Sequence, residues 1–459
     1  MTPECYRQRR RALRETTAPG PLLLLGAREC PRNYTANTYP FRQDAHFLYY
    51  SGINRPGLAL LIDDEGHTQL FGPADDPDDL IWCGEQPSLT ELAEAAGIEA
   101  SAVKTFDHLQ ATLEPKLESL HYLPPYHADR LQLLALLRSQ SLEATQKGWS
   151  RALASAIAGQ RSIKTEAEVA EHEEALQLSA KMYAAAFAAI RPGRRESEIA
   201  AALQEPALAQ GRQQSFLPIV TVHGEVLHNN HYHNELRAGQ LLLIDSGTES
   251  RLGYASDITR SVPVSPTFTT QQREIYEIVL DAQCAVIEAA SPQCSNLQLH
   301  MLAARRITEG LMNVGLMKGD PEEAVTAGAH ALFFPHGIGH MLGLDVHDME
   351  DLGDLVGYAP GTQRSPQFGL RSLRLARPLL PGFVITVEPG IYFIPALIAR
   401  WKQQKLHHHF IDFARLESYL GFGGIRIEDD VLITQDGQRV LGPKIPKTVQ
   451  ELEDVLRPQ

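Results

Sequence analysis

Leu241-Leu242-Leu243-Ile244-Asp245 leads through Gly247 and Gly253 to Asp257-Ile258-Thr259-Arg260-Ser261-Val262. These are two strand-like apolar runs, the first closing and the second opening on a carboxylate. A chain that turns at the glycines between them forms a hairpin, and facing residues of a hairpin bring their Cβ atoms to roughly 5 Å. The sequence therefore predicts Asp245 and Asp257 opposite each other. Two carboxylates that close repel unless something neutralises them, and a divalent cation does so best. Taken singly, each Asp is equally a strand-end residue.

Working outward, Phe333-Phe334-Pro335-His336-Gly337-Ile338-Gly339-His340 runs into Gly343-Leu344-Asp345-Val346-His347-Asp348 and sets three histidines among glycines. Glycine lets backbone approach a site closely, and neutral imidazole is the commonest nitrogen ligand for metals. Val387-Glu388-Pro389-Gly390 and Arg426-Ile427-Glu428-Asp429 each place an acid at the edge of an apolar run. Asp245, Asp257, Glu388 and Glu428 with one histidine make an oxygen-rich donor set. Such a set suits a hard or borderline ion such as Mn²⁺ better than a thiolate zinc site does. Two ions about 3.5 to 4 Å apart would share these donors.

The 459-residue chain predicts two or three domains, and its 43% apolar and 21% charged residues mark them as globular. Fifty-six acidic against 42 basic residues give a net charge of −14, which disfavours nucleic acid and anionic lipid surfaces as partners. The cysteines, Cys5, Cys30, Cys83, Cys284 and Cys294, are odd in number and lack C-x-x-C spacing, as expected of a reducing compartment, the cytoplasm being the simplest. The leucines 22–25 are far short of a signal segment, and no run long enough to span a membrane is present.

From Pro21 to about Ser162, short apolar runs (Leu22 to Leu25, Phe47 to Tyr50, Leu58 to Ile62, His121 to Leu123) alternate with helix-like stretches such as Leu89 to Ala96, which predicts an α/β domain. Thr165 and Glu168 then form a capping-box pair that opens a long Ala-rich helix, so the boundary is expected near residue 162. Beyond it, strands are expected at Pro218 to Val222, Leu241 to Asp245, Asp257 to Val262, Val384 to Glu388 and Ile425 to Thr434. Helices near Gln272 to Ala290 and Leu297 to Val314 interleave with them around one sheet. The segments 353–367 and 396–419 read as insertions.

The pieces LLLIDSG, YASDITRSVP, FFPHGIGHMLGLDVHD, VITVEPGIYF and GGIRIEDDVLIT, in this order, resemble the "pita-bread" metallopeptidases, specifically their aminopeptidase P and prolidase branch. Tyr39-Pro40-Phe41-Arg42-Gln43-Asp44, running into Phe47-Leu48-Tyr49-Tyr50-Ser51-Gly52, resembles that branch's N-terminal domain, which methionine aminopeptidases lack. The resemblance implies an α/β N-terminal domain over 1–162 and an α+β pita-bread catalytic domain over 163–459. It implies two divalent metal ions, Mn²⁺ by expectation, on Asp245, Asp257, His340, Glu388 and Glu428. It further implies that a metal-bridging hydroxide attacks the carbonyl before proline, with Glu388 carrying the proton to the leaving nitrogen. His347 would hydrogen-bond the substrate, His336 would line the pocket, and His228, or His231 in its stead, would face the substrate. Arg426 would orient an Asp ligand by charge-assisted hydrogen bonds. Proline-containing peptides are the implied partners, and a homodimer or higher homo-oligomer the implied assembly.

Within the branch, Asp257 to Pro263 and Gln272-Arg273-Glu274-Ile275-Tyr276 look most like aminopeptidase P, which releases the residue before proline from longer peptides; that is the activity expected. Gly369-Leu370-Arg371-Ser372-Leu373-Arg374 resembles prolidases instead, where an arginine matching Arg374 binds a dipeptide's carboxylate, so an Xaa-Pro dipeptidase is the alternative. From another class, a non-catalytic pita-bread binding protein stands against retention of all five ligand positions. His407-His408-His409 reads as an exposed loop tract. Trp82 resembles a tryptophan that reaches a neighbouring subunit in some relatives, with a core position as the equal alternative.

Overall fold

The computed structural model describes residues 1–74 and 78–457. The chain divides into two compact units, Met1–Arg161 with Asp351–Leu355, and Ser162–Glu350 with the chain from Val356 onward.

In the first unit the runs Leu22 to Leu25 and Leu58 to Ile62 become strands because each is short, leucine-rich and buried on both faces. β1 (Leu22–Leu25), β2 (Ala59–Ile62), β3 (Thr68–Gly72), β4 (Val103–Thr105) and β5 (His121–Tyr122) form a sheet in the order β4-β3-β2-β1-β5. β1–β2 and β2–β3 are antiparallel, while β5 and β4 add in parallel at the edges. Leu23, Leu61, Phe71, Leu109, Leu113 and Leu134 pack as the core of this unit. One expected strand is a helix: Phe47 to Tyr50 lies within Ala45–Ser51. Asp44 caps it by accepting the Phe47 amide at 2.8 Å, and Gly52 ends it in the left-handed region, where a side chain would run into the Tyr6 ring. These two signals overrode an apolar run that read as extended.

The second unit opens with the helix Glu166–Ala189, whose Thr165–Glu168 capping box forms as the spacing predicts. The helices Thr270–Ala289 and Asn296–Asn313 lie where they are expected. Its strands are β6 (Ile219–Thr221), β7 (Leu241–Ser246), β8 (Ile258–Pro263), β9 (Val384–Val387), β10 (Gly390–Tyr392), β11 (Gly424–Arg426), β12 (Asp429–Ile433) and β13 (Gln438–Val440). Among the described residues they pair as β6-β7-β8, β13-β12-β9 and β10-β11, in place of the single sheet expected. The run Ile425 to Thr434 is two strands, β11 pairing with β10 and β12 with β9. Glu428 sits at the break and joins the groups through one bridge, its amide donating to the Thr259 carbonyl at 3.1 Å. The segment 396–419 is largely helical, with Pro395 starting Pro395–Gln404 at a position where its missing N–H costs nothing.

Among the described residues no helix is long and apolar enough to cross a membrane. Polar groups sealed in this unit instead serve the loops. Lys164 and Asp348, each 1% exposed in its side chain, pair at 3.0 Å and anchor the segment that ends in Val346-His347-Asp348. His172, His300 and His330 are fully buried, and burial holds them neutral, at about 4, about 3 and about 4 respectively. An unfolded histidine protonates near 6.5, so the unfolded chain binds more protons than the folded one below that value. Stability is therefore full above about pH 6.5 and declines as pH falls toward 4. His300 has neither ring nitrogen hydrogen-bonded, and replacing it by Phe is expected to shrink the stability loss between pH 7 and 5.5 by about 1 kcal/mol. Urea unfolding at the two pH values measures this, and an unchanged loss would show that His300 does not resist protonation.

Candidate functional site

Asp245 lies in β7 and Asp257 just before β8. The register pairs Asp245 with Thr259, so the two carboxylates are diagonal neighbours on one face and not directly opposite as expected. The pair is nonetheless in contact, because side chains two residues apart along a strand share a face. Both are buried, and Oδ1 of each has no hydrogen-bond partner.

His340 is brought to them by its glycines. A Cβ on Gly339 would run into the Thr386 carbonyl, and its absence lets the His340 backbone exchange hydrogen bonds with Thr386 at 3.0 and 3.1 Å. Nδ1 donates to the Met341 carbonyl at 3.0 Å, which leaves Nε2 3.5 Å from Asp257 and 3.6 Å from Glu388. Asp257, His340 and Glu428 each offer a ligand atom, all within 4.8 Å of one another.

Arg426 threads the cluster. Its guanidinium donates to Asp245, to Thr259 Oγ1 at 3.2 Å and to Tyr392 Oη at 3.0 Å. The Tyr392 hydroxyl donates onward to His336 Nε2 at 2.8 Å, and His336 Nδ1 donates to the Gly337 carbonyl at 2.8 Å. Burial, followed by the nearby Arg426 charge, lowers His336 to about 3, so it is a neutral acceptor.

The carboxylates respond in the opposite direction. Burial, and then Asp245, push Asp257 well above the usual carboxylate range; burial, and then Asp257, do the same to Glu428. Burial raises Glu388 to about 7 against the opposing pull of His340 and Arg426. The protein's own cations thus leave this cluster short of positive charge. Hard oxygen donors, two of them orphaned, beside one imidazole fit divalent metal ions.

One cavity of about 650 Å³ takes in Asp245, Asp257, His340, Glu388 and Glu428 together with His228, His336, His347, Arg374 and Arg426. His231 is not among its lining residues; its ring stacks on His233 with centroids 5.7 Å apart. At the cavity's rim His347 Nδ1 donates to Glu350 Oε2 at 2.6 Å, and Arg374 Nε donates to Glu350 Oε1 at 2.9 Å. The hydrogen bond from His347, aided by Arg374, lowers Glu350 to about 2.

Sequence reasoning missed four contributors. Tyr392 and Thr259 lie inside quoted motifs but read as strand residues. Arg260 donates to the carbonyls of Glu428 (2.6 Å), Thr259 (2.9 Å), Pro446 (2.9 Å) and Ile445 (3.1 Å) and pairs with Asp429 at 2.7 Å, gripping the backbone at Glu428. Glu350 follows His347 by three residues, a spacing that was the available signal. Two peripheral expectations resolve elsewhere. Trp82 ends the short helix Asp79–Trp82 and is 82% exposed, which excludes a core position. His408 and His409 are exposed, whereas the His407 ring packs on Trp401.

Two family models match the chain: "Metallopeptidase family M24" over residues 170–435 and "Aminopeptidase P, N-terminal domain" over residues 6–122. The Xaa-Pro aminopeptidase of Escherichia coli is 30% identical over 468 residues, covering 98% of this chain and 97% of its own. A probable Xaa-Pro aminopeptidase of Uncinocarpus reesii is 34% identical over 433 residues, covering 91% and 86%. The solved structure of E. coli aminopeptidase P with the inhibitor Pro-Leu superposes with a TM-score of 0.81 at 30% identity, over 99% of this chain and 98% of that one. The expected architecture, an α/β N-terminal domain followed by a pita-bread catalytic domain, is thereby established. A family of metallopeptidases accounts for an acidic cluster that its own protein cannot neutralise, and the chain belongs to it: to the M24 metallopeptidases, in their aminopeptidase P branch.

Proposed function

We propose that this chain is a dinuclear-metal Xaa-Pro aminopeptidase, releasing the N-terminal residue of peptides whose second residue is proline. The observation that carries the reading is the buried acidic cluster on the cavity wall, with unpartnered oxygens on Asp245 and Asp257. Asp245, Asp257, His340, Glu388 and Glu428 would hold two divalent ions, Mn²⁺ being the best match to an oxygen-rich set. Those ions, when bound, supply Lewis-acid polarisation and the positive charge that keeps the carboxylates ionised.

The chain's own residues do the rest. Glu388, 3.6 Å from His340 on the wall of the same cavity, is placed to take a proton and return it to the leaving imino nitrogen of proline. Arg426 holds Asp245 in orientation, and through Tyr392 it fixes the neutral His336 as an acceptor in the cavity. With Nδ1 committed to Glu350, His347 keeps Nε2 for the substrate, and His228 lines the same space. The free cysteines among the described residues support a reducing compartment such as the cytoplasm.

Arg374 in the same cavity favours the dipeptidase as a second reading. Metal-stripped protein given Mn²⁺ is expected to cleave Xaa-Pro-Yaa at least about tenfold faster than Xaa-Pro, a difference of about 1.4 kcal/mol in transition-state binding. Cleavage of the dipeptide alone would make the chain a prolidase. No Mn²⁺-dependent cleavage of either would sink the enzymatic reading.

A further inference from the structure

Three arginines line the cavity, and their commitments differ. Arg426 is buried on Asp245. Arg364 donates to the backbone carbonyls of Leu373 at 2.7 Å and Arg371 at 3.3 Å. Arg374 is 37% exposed in its side chain and is held by a single carboxylate, that of Glu350, itself 53% exposed. The same carboxylate accepts a hydrogen bond from His347 Nδ1 through its other oxygen.

We infer that Glu350 sets the peptide-length preference of this cavity, by occupying the guanidinium that a dipeptide's C-terminal carboxylate needs and by presenting a like charge to that carboxylate. This rests on the reading of the cavity as an Xaa-Pro peptidase site. An Xaa-Pro dipeptide ends in a carboxylate directly on proline, so its charge must be met close to the scissile bond. Of the cavity's arginines, Arg374 is the one whose ion pair is part exposed, and reaching it means displacing Glu350 or sitting beside it. A tripeptide carries a neutral amide at that place and its carboxylate about 3.5 Å of chain further on, so it escapes the penalty. An exposed ion pair is weak, which makes Glu350 a bias and not a barrier. Specificity built in this way, from a repulsive element against the wrong ligand, needs no extra contact with the right one.

Glu350 acts on His347 as well. Accepting from Nδ1 fixes the imidazole tautomer with its lone pair on Nε2, so Glu350 is also a positioning residue for a histidine in the cavity. The two roles separate kinetically. Loss of the like charge changes KM for a charged dipeptide, whereas a loosened His347 lowers kcat for every substrate alike.

The test compares wild type, Glu350→Gln, Arg374→Ala and the double variant, all loaded with Mn²⁺, on Xaa-Pro, the neutral amide Xaa-Pro-NH₂ and Xaa-Pro-Yaa. Glu350→Gln is expected to lower KM for Xaa-Pro about tenfold, with KM for the amide and the tripeptide within about twofold of wild type. The gain should shrink when Arg374→Ala is added, because relief of the like charge alone then remains. An unchanged KM for Xaa-Pro, an equal gain for the neutral amide, or a gain undiminished by Arg374→Ala would each overturn the inference while leaving tripeptide cleavage by wild type intact. A wild type that cleaves none of the three overturns the functional reading, and this inference with it.

Discussion

Glu388→Ala is expected to lower turnover of Xaa-Pro-Yaa by about 10³-fold or more and to weaken metal binding in the same protein. The proton-transfer role alone accounts for about 10² to 10⁴ in rate. Glu388 also stands 3.6 Å from His340 on the wall of the acidic cluster, so its removal takes away a donor as well as a base. Fold stability should hold, because the lost carboxylate is one that burial already raises to about 7 and that the folded chain gains little by ionising. The measurement pairs steady-state kinetics with metal content after dialysis. Turnover close to wild type would refute the role assigned to Glu388, and lost turnover with full metal occupancy would confine that role to proton transfer.

The largest effect on stability is expected at Arg260, which is not among the residues lining the acidic cavity. Its guanidinium is fully buried, pairs with Asp429, and satisfies the backbone carbonyls of Thr259, Glu428, Ile445 and Pro446. Arg260→Ala takes a donor from the carbonyls of Glu428, Ile445 and Pro446, leaves Thr259 only the Glu428 amide, and strips Asp429 of one of its two cations, the other being Lys447 at 2.6 Å. Removing one partner from a buried ion pair costs about 3 to 5 kcal/mol, most of it from the charge and carbonyls left behind. Urea unfolding should register that loss. Because Arg260 grips the backbone at Glu428, Mn²⁺ affinity should fall as well. A loss under about 1 kcal/mol would mean that water or Lys447 replaces the guanidinium.

Much of this was legible in the amino-acid sequence because the signals are local. Thr165 with Glu168 announces a helix start, and an acid at the edge of an apolar run announces a strand end beside a polar space. Glycines before His340 announce a close backbone approach. What escaped depends on pairing between distant segments. Nothing near Ile427 tells the chain to leave β10 for β9, because that break is set by what lies beside it in space. The register that makes Asp245 and Asp257 diagonal likewise depends on the length of the turn between them. Phe47 to Tyr50 failed for a different reason: a four-residue apolar run has no period to read, and the deciding signals were the Asp44 cap and Gly52. Tyr392 looked like one more apolar strand residue, and Arg260 like a strand cation, until their partners from elsewhere in the chain were seen. Glu350 is an exposed acid that no motif singles out; only its two contacts give it a role.

The proposed activity requires divalent metal at the acidic cluster. The most direct measurement titrates metal-stripped protein with Mn²⁺ while following bound metal and release of the first residue from Xaa-Pro-Yaa together. The predicted result is activity that rises with the binding of two ions per chain and is lost in Asp257→Asn. Full activity in metal-free protein, or saturation with Mn²⁺ without cleavage, would contradict it.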